Sequence, residues 1–190
     1  MASKAAHLND FGLIIAYVLP GFVALWGTAD LSPPLRAWLG TTPESGPSVA
    51  GFLFITVASV GAGLTVSTVR WLVIDTLHGW TGLKPHDRDF ATLQQNTEGF
   101  NVLVEYHYRY YQFYANTLIA VVWTWIARRA SLGMLSGFGW ADVGYTLLVA
   151  LFFLGSRDTF RKYYLRTGQL LGIETTQLPG RRRMNRRFPA

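Results

Sequence analysis

Four stretches of this chain are each about long enough to cross a bilayer and nearly free of charge, and no other feature narrows its fold so far. Phe11 to Ala29 lies between Asp10 and Asp30, Ser45 to Val69 runs up to Arg70, and Tyr110 to Ala127 stops at Arg128 and Arg129. Gly137 to Ser156 holds one charge, Asp142, close enough to its start for the carboxylate to reach the headgroup region. A hydrocarbon core of about 30 Å needs roughly 20 apolar residues in a helix that rises about 1.5 Å per residue. The sequence therefore predicts an all-α integral membrane protein with four transmembrane helices. The spans fall at about 11–29, 48–70, 110–128 and 137–156 of a domain covering 1–168, with an α-helical cytoplasmic middle loop at 71–109 and a basic tail at 169–190.

Composition points the same way. Half the residues are hydrophobic and 15% are charged, against about 25% charged in ordinary soluble domains. With no cysteine, a disulfide framework, a thiolate metal site and a cysteine nucleophile are all excluded. Arginine outnumbers lysine fourteen to three, a bias that suggests a GC-rich bacterial genome and hence a bacterial cytoplasmic (inner) membrane.

The first apolar run differs from a secretory signal. Lys4 precedes it, and Gly27 to Ala29 are small, but Asp10 abuts the run and its length exceeds the usual apolar core of such a signal. Pro20 inside it suits a kinked spanning helix whose freed carbonyl is satisfied by a neighbouring helix.

Positive charge sets the orientation. The N-terminus, the 70–109 loop and the chain after residue 156 hold one, four and nine Lys or Arg residues, while the remaining loops hold only Arg36, Arg128 and Arg129. Both termini and the middle loop are expected in the cytoplasm, with the Pro-rich stretch Leu31 to Pro47 outside. Trp26, Trp38, Trp71, Trp125, Trp140 and the tyrosines between 106 and 114 fit interfacial belts.

Within the spans, Ser59, Gly63 and Ser67, and separately Ala58 and Ala62, recur every four residues. Each set gives the second helix a small-residue face, the usual means of close helix packing in lipid. Thr56, Thr65 and Thr68 can bond back to their own helix. The third helix is expected to start near Phe100 and to carry one polar stripe, Glu105, Arg109, Gln112 and Asn116, at spacings of four, three and four. Glu105 and Arg109 stand in the favourable order for a helical ion pair. The stripe enters lipid, so it either glues helices together or lines a water-filled pore. Arg70 and Asp75 leave the second helix at the depth where Arg157 and Asp158 leave the fourth, which predicts a shared ion network closing the inner mouth.

The middle loop concentrates Asp75, His78, His86, Asp87, Asp89, Glu98, Glu105 and His107. Asp75 and His78 share a helical face, and His86, Asp87 and Asp89 could form a second half-site, yet neither spacing matches a specific metal motif. No metal, no cofactor and no catalytic residue is therefore assigned. Trp80 to Pro85 reads as a turn. Residues 157–166 interleave basic and aromatic side chains, as in a helix lying along the interface until Gly168. Arg181, Arg182, Arg183, Arg186 and Arg187 follow the Pro179 and Gly180 break and await an anionic partner: anionic lipid or an acidic protein rather than nucleic acid, since only Phe188 could stack a base.

The expected function is that of a non-enzymatic multi-pass membrane protein, a homo-oligomer that docks a cytoplasmic protein or anionic lipid. A pore- or channel-forming effector lined by Gln112, Asn116 and the threonines is the alternative. An interfacial lipid-active enzyme using the middle-loop histidines and aspartates is the third.

Overall fold

A computed structural model of the chain describes residues 12–39, 49–83, 94–133 and 137–172, and every regular element among them is helical. Helix α1, Ile14–Ala29, opens with a π-helical turn, Ile14–Val18, and continues as Leu19–Ala29. Helix α2 is the short Pro33–Trp38. Helix α3 is Val49–Trp80, with a π turn at Trp71–Asp75. Helix α4 covers residues 97–132, in which a π turn at Val104–Tyr108 joins Thr97–Leu103 to Arg109–Leu132. Helix α5 is Trp140–Leu170.

The ends follow from local chemistry. After α3, Gly82 takes a positive φ of 93° while the Leu83 and Gly82 amides donate back to the His78 and Gly79 carbonyls, a left-handed stop that glycine adopts without strain. At the start of α5 the Asp142 carboxylate accepts the Gly139 amide at 2.8 Å and the Trp125 indole N–H at 2.7 Å, with Arg129 at 3.6 Å. The one charge in the fourth apolar stretch is thus matched on three sides, at the helix end where a carboxylate is favoured. Arg36 donates to the Ala29 and Asp30 carbonyls and covers the C-terminal end of α1.

Helix α1 lies between α3 and α4, which also touch each other, and α5 packs on α4. The α1–α3 contact is as close as backbones allow. A Cβ on Gly21 would sit 1.9 Å from the Ser59 carbonyl oxygen, and one on Gly63 would sit 2.1 Å from that of Tyr17. Gly27 meets Thr124 of α4 in the same way, at 2.5 Å from its Cα. The buried face of α3 comprises Gly51, Ile55, Ser59, Gly63, Val66 and Arg70, so the small residues Ser59 and Gly63 pack within the chain, with Ser67 half-buried at the edge. The α4–α5 contact is aromatic instead: Tyr111 stacks on Phe160 at 4.0 Å, and Phe152 meets Phe113 and Tyr114.

Outward faces are apolar. Phe52, Phe54, Val57, Leu64 and Leu72 of α3 and Leu147, Leu151 and Leu154 of α5 are exposed. By length and composition one helix among the described residues, Val49–Trp80, can cross a membrane, and 28% of its most apolar stretch is buried in the fold. Ile14–Ala29 is apolar but shorter, and neither α4 nor α5 meets the same test. For α4 the reason is chemical, since its first turns carry the polar stripe and a run of tyrosines.

The helix expected to run on to Gly168 continues unbroken to Leu170, and Phe160, Tyr163 and Thr167 give its second half a buried face in helical register. One expectation changes. Tyr111 is not part of an interfacial belt, being fully buried. The arginines of the tail, and His86, Asp87 and Asp89 of the middle loop, lie outside the described residues.

Candidate functional site

Helix α4 presents its polar stripe to α1. Glu105 and Arg109 pair at 3.8 Å and border Gly12, just before the π turn of α1. One helical turn further, the Gln112 amide donates to the Tyr17 hydroxyl at 2.9 Å, and the fully buried Asn116 donates to the Ala16 carbonyl at 2.7 Å. That carbonyl stands four residues before Pro20, the position whose amide would serve it in a regular helix and which has no N–H to give. Asn116 therefore supplies the missing donor. Thr124 extends the same seam by donating to the Val23 carbonyl at 3.0 Å. The stripe and Pro20 explain each other. Thr56, Thr65 and Thr68 bond to the carbonyls of Phe52, Gly61 and Leu64 in their own helix.

A second polar group sits where α3, α4 and α5 meet, beside the π turn of α3. Arg70, 5% exposed, reaches Asp75 at 3.9 Å and lies over the Tyr111 ring, whose centroid is 5.4 Å from its Cζ. Tyr111 donates its hydroxyl hydrogen to Asp75. His78, with no exposed surface, places Nε2 3.1 Å from the equally buried Ser156 hydroxyl and is ringed by Tyr111, Phe153 and Phe160. Arg157 then donates to Thr81, at 2.5 Å to its hydroxyl and 3.3 Å to its carbonyl.

The predicted four-membered ion network does not form. Arg70 and Asp75 pair, but Arg157 is spent on the turn after α3, and Asp158 points outward to Lys162 at 2.5 Å. The causes are register and phase: α5 sets Ser156 against His78 and Arg157 against Thr81, well past Arg70 along α3, and consecutive residues leave a helix about 100° apart, so Asp158 turns outward once Ser156 and Phe160 occupy the buried side. The stripe residues and the Arg70–Asp75 pair also stay apart in their partners, the first serving α1 and the second joining α3 to α4.

Ser156 beside His78 resembles a nucleophile and its base, yet the geometry opposes that chemistry. The Ser156 hydroxyl donates to the Phe153 carbonyl at 2.8 Å, His78 Nδ1 has no partner to orient the ring, and neither residue reaches the surface. A nucleophile needs a base held by a third group and a path for substrate. What the cluster does is hold the last turns of α3 against α4 and α5, leaving Arg70 Nε and Nη1 without acceptors. Among the described residues no three His, Asp or Glu side chains gather to hold a metal ion.

Ser156, Tyr17 and the buried role of Tyr111 were missed in the sequence. Ser156 ends the fourth apolar run, where its register with His78 could have been seen only with the helix pairing known. Tyr17 carries no signal beyond being a polar tip in an apolar helix. Compared with protein-family models, with curated proteins and with solved structures, the chain matches none.

Proposed function

We propose that this chain is a non-enzymatic membrane component with four spans at about 11–29, 48–70, 110–128 and 137–156 and both termini in the cytoplasm of a bacterial cell. It self-associates through the outward faces of α3 and α5 and docks a cytoplasmic protein or anionic lipid through its middle loop and basic tail. One observation carries the reading: large apolar side chains line the outside of the fold while several polar ones are buried. Arg70, His78, Gln112, Asn116, Ser59 and Ser156 are buried, while Phe52, Leu53, Phe54, Val57, Leu147, Leu151 and Leu154 face out. Water would favour the reverse arrangement. Helix α3 adds support, because Val, Ile, Thr and Gly fill much of it; these are weak helix formers in water, whereas in hydrocarbon the backbone has no other partner.

Packing of Gln112 and Asn116 on α1 favours glue over pore lining. Burial of His78 among aromatic rings, with no path for a substrate, speaks against the enzyme reading.

The absence of cysteine makes topology directly testable, since single cysteines can be placed without removing any. Cysteines at 36 and 132 should label with an impermeant maleimide from outside, and one at 172 only after the membrane is opened. Labelling of position 172 in intact cells, or a folded chain that needs no amphiphile, overturns the reading. A strictly monomeric protein in mild detergent and in lipid discs removes self-association.

A further inference from the structure

The cytoplasmic half of α5 carries positive charge that the fold leaves unneutralised. Ser156, Phe160, Tyr163, Thr167 and Gly168 are buried, which places Asp158, Arg161, Lys162, Arg166 and Gln169 together on the exposed face. Asp158 pairs with Lys162 at 2.5 Å, but Arg161 and Arg166 meet no carboxylate among the described residues. Arg166 Nη1 instead lies 2.6 Å from His107 Nε2, an acceptor that brings no negative charge.

Depth decides what this face can meet. The proposed fourth span ends at residue 156, so at about 1.5 Å per residue the Arg161 backbone lies about 6 Å, and that of Arg166 about 14 Å, beyond Arg157. The headgroup layer extends roughly 5–7 Å past the hydrocarbon on each side. Side chains of a helix tilt toward its N-terminus, which for α5 is back toward the bilayer, and arginine stems are long enough to use that tilt. Guanidinium groups at phosphate level fit phosphate oxygens in a fork.

We propose that Arg161 and Arg166 form a binding surface for the phosphate headgroups of anionic phospholipid on the cytoplasmic side, separate from the arginine-rich tail. The proposal rests on the membrane reading above, and the two fail differently in one experiment. The full chain is reconstituted in vesicles of phosphatidylcholine with a minor share of phosphatidylglycerol, membrane insertion is established by resistance to carbonate, and retained lipid is counted by native mass spectrometry. Wild type should retain phosphatidylglycerol well above its share.

A basic residue near an anionic surface contributes about a fivefold factor, so R161Q/R166Q should lower that preference about 25-fold. R161K/R166K should keep most of it, and replacing Arg181, Arg182, Arg183, Arg186 and Arg187 by Gln should leave it in place. Unchanged enrichment in R161Q/R166Q, with a native helical spectrum, overturns the proposal. So does enrichment that vanishes with the tail substitutions alone. Competition by millimolar inorganic phosphate would identify a soluble phosphate as the ligand instead of lipid. Failure of the wild type to insert defeats the membrane reading first.

Discussion

The two sides of α4 are held by opposite means. Toward α1 and on to α3, the chain uses glycine, serine and single polar donors, so backbones approach until no Cβ fits at Gly21 or Gly63. Toward α5 it uses large rings, with Tyr111 on Phe160 and Phe152 against Phe113 and Tyr114. Close backbone packing gains dispersion contacts and short polar bonds but tolerates no added atom, whereas ring packing gains area and can shift by rotamer. The first interface should behave as a lock and the second as a cushion.

That contrast breaks most sharply at the glycines. Gly63→Leu drives a side chain into the Tyr17 backbone and should cost about 3 kcal/mol or more, enough to abolish folded protein in mild detergent. Gly61→Leu and Gly144→Leu, where an added Cβ meets nothing within 4 Å, should melt as the wild type does. Equal loss at Gly63 and Gly61 would refute the lock. On the cushion side, Tyr111→Phe keeps the ring stack but removes the donor to Asp75 beside Arg70. A cost of about 1–3 kcal/mol is expected for losing a hydrogen bond to the half-buried Asp75 carboxylate, and a melting point equal to wild type would show that the hydroxyl contributes nothing.

The carbonyl that Pro20 leaves unserved offers a finer test of the lock. Asn116→Ala should cost about 1 kcal/mol by leaving the Ala16 carbonyl without its donor. Pro20→Ala returns an amide hydrogen to the chain four residues on, so the double variant should lose less than the sum of the single ones. Strict additivity in a double-mutant cycle would separate Asn116 from the proline.

The smallest effect belongs to His107. Burial, followed by the nearby Arg166, holds its pKa below the ordinary imidazole value of 6.5. The folded state then binds fewer protons than the unfolded one. This contribution is fully present above pH 6.5 and is lost as pH falls from there through the lowered folded value. His107→Gln should flatten that part of the melting-point profile, and a variant that tracks wild type across pH 8 to 5 would show that His107 takes no part.

Much of this was legible from residue spacing. The i, i+4 recurrence of Ser59 and Gly63 fixed a close-packing face whatever lay against it, and the Glu105 to Asn116 stripe had to find partners because its residues share one side of a helix. Pro20 announced an unserved carbonyl. The sequence did not say that these signals answer one another, since Asn116 and Ala16 are 100 residues apart and nothing local links them. The Arg70, Asp75, Arg157 and Asp158 group misled for a related reason: the sequence showed neither the register that sets Arg157 beside Thr81 nor the phase that turns Asp158 outward.

By itself, then, the sequence determined the long apolar helices and the polar residues within them that needed partners, because these follow from local charge, periodicity and the missing proline amide. Only the tertiary structure decided which helix answers which polar group. It brought α1 between α3 and α4 to complete the stripe, and it packed the second half of α5 on α4, where Phe160 and Tyr163 meet Tyr111 and Tyr108. Partner choice depends on shape matched over the whole chain, and no window of neighbouring residues contains it.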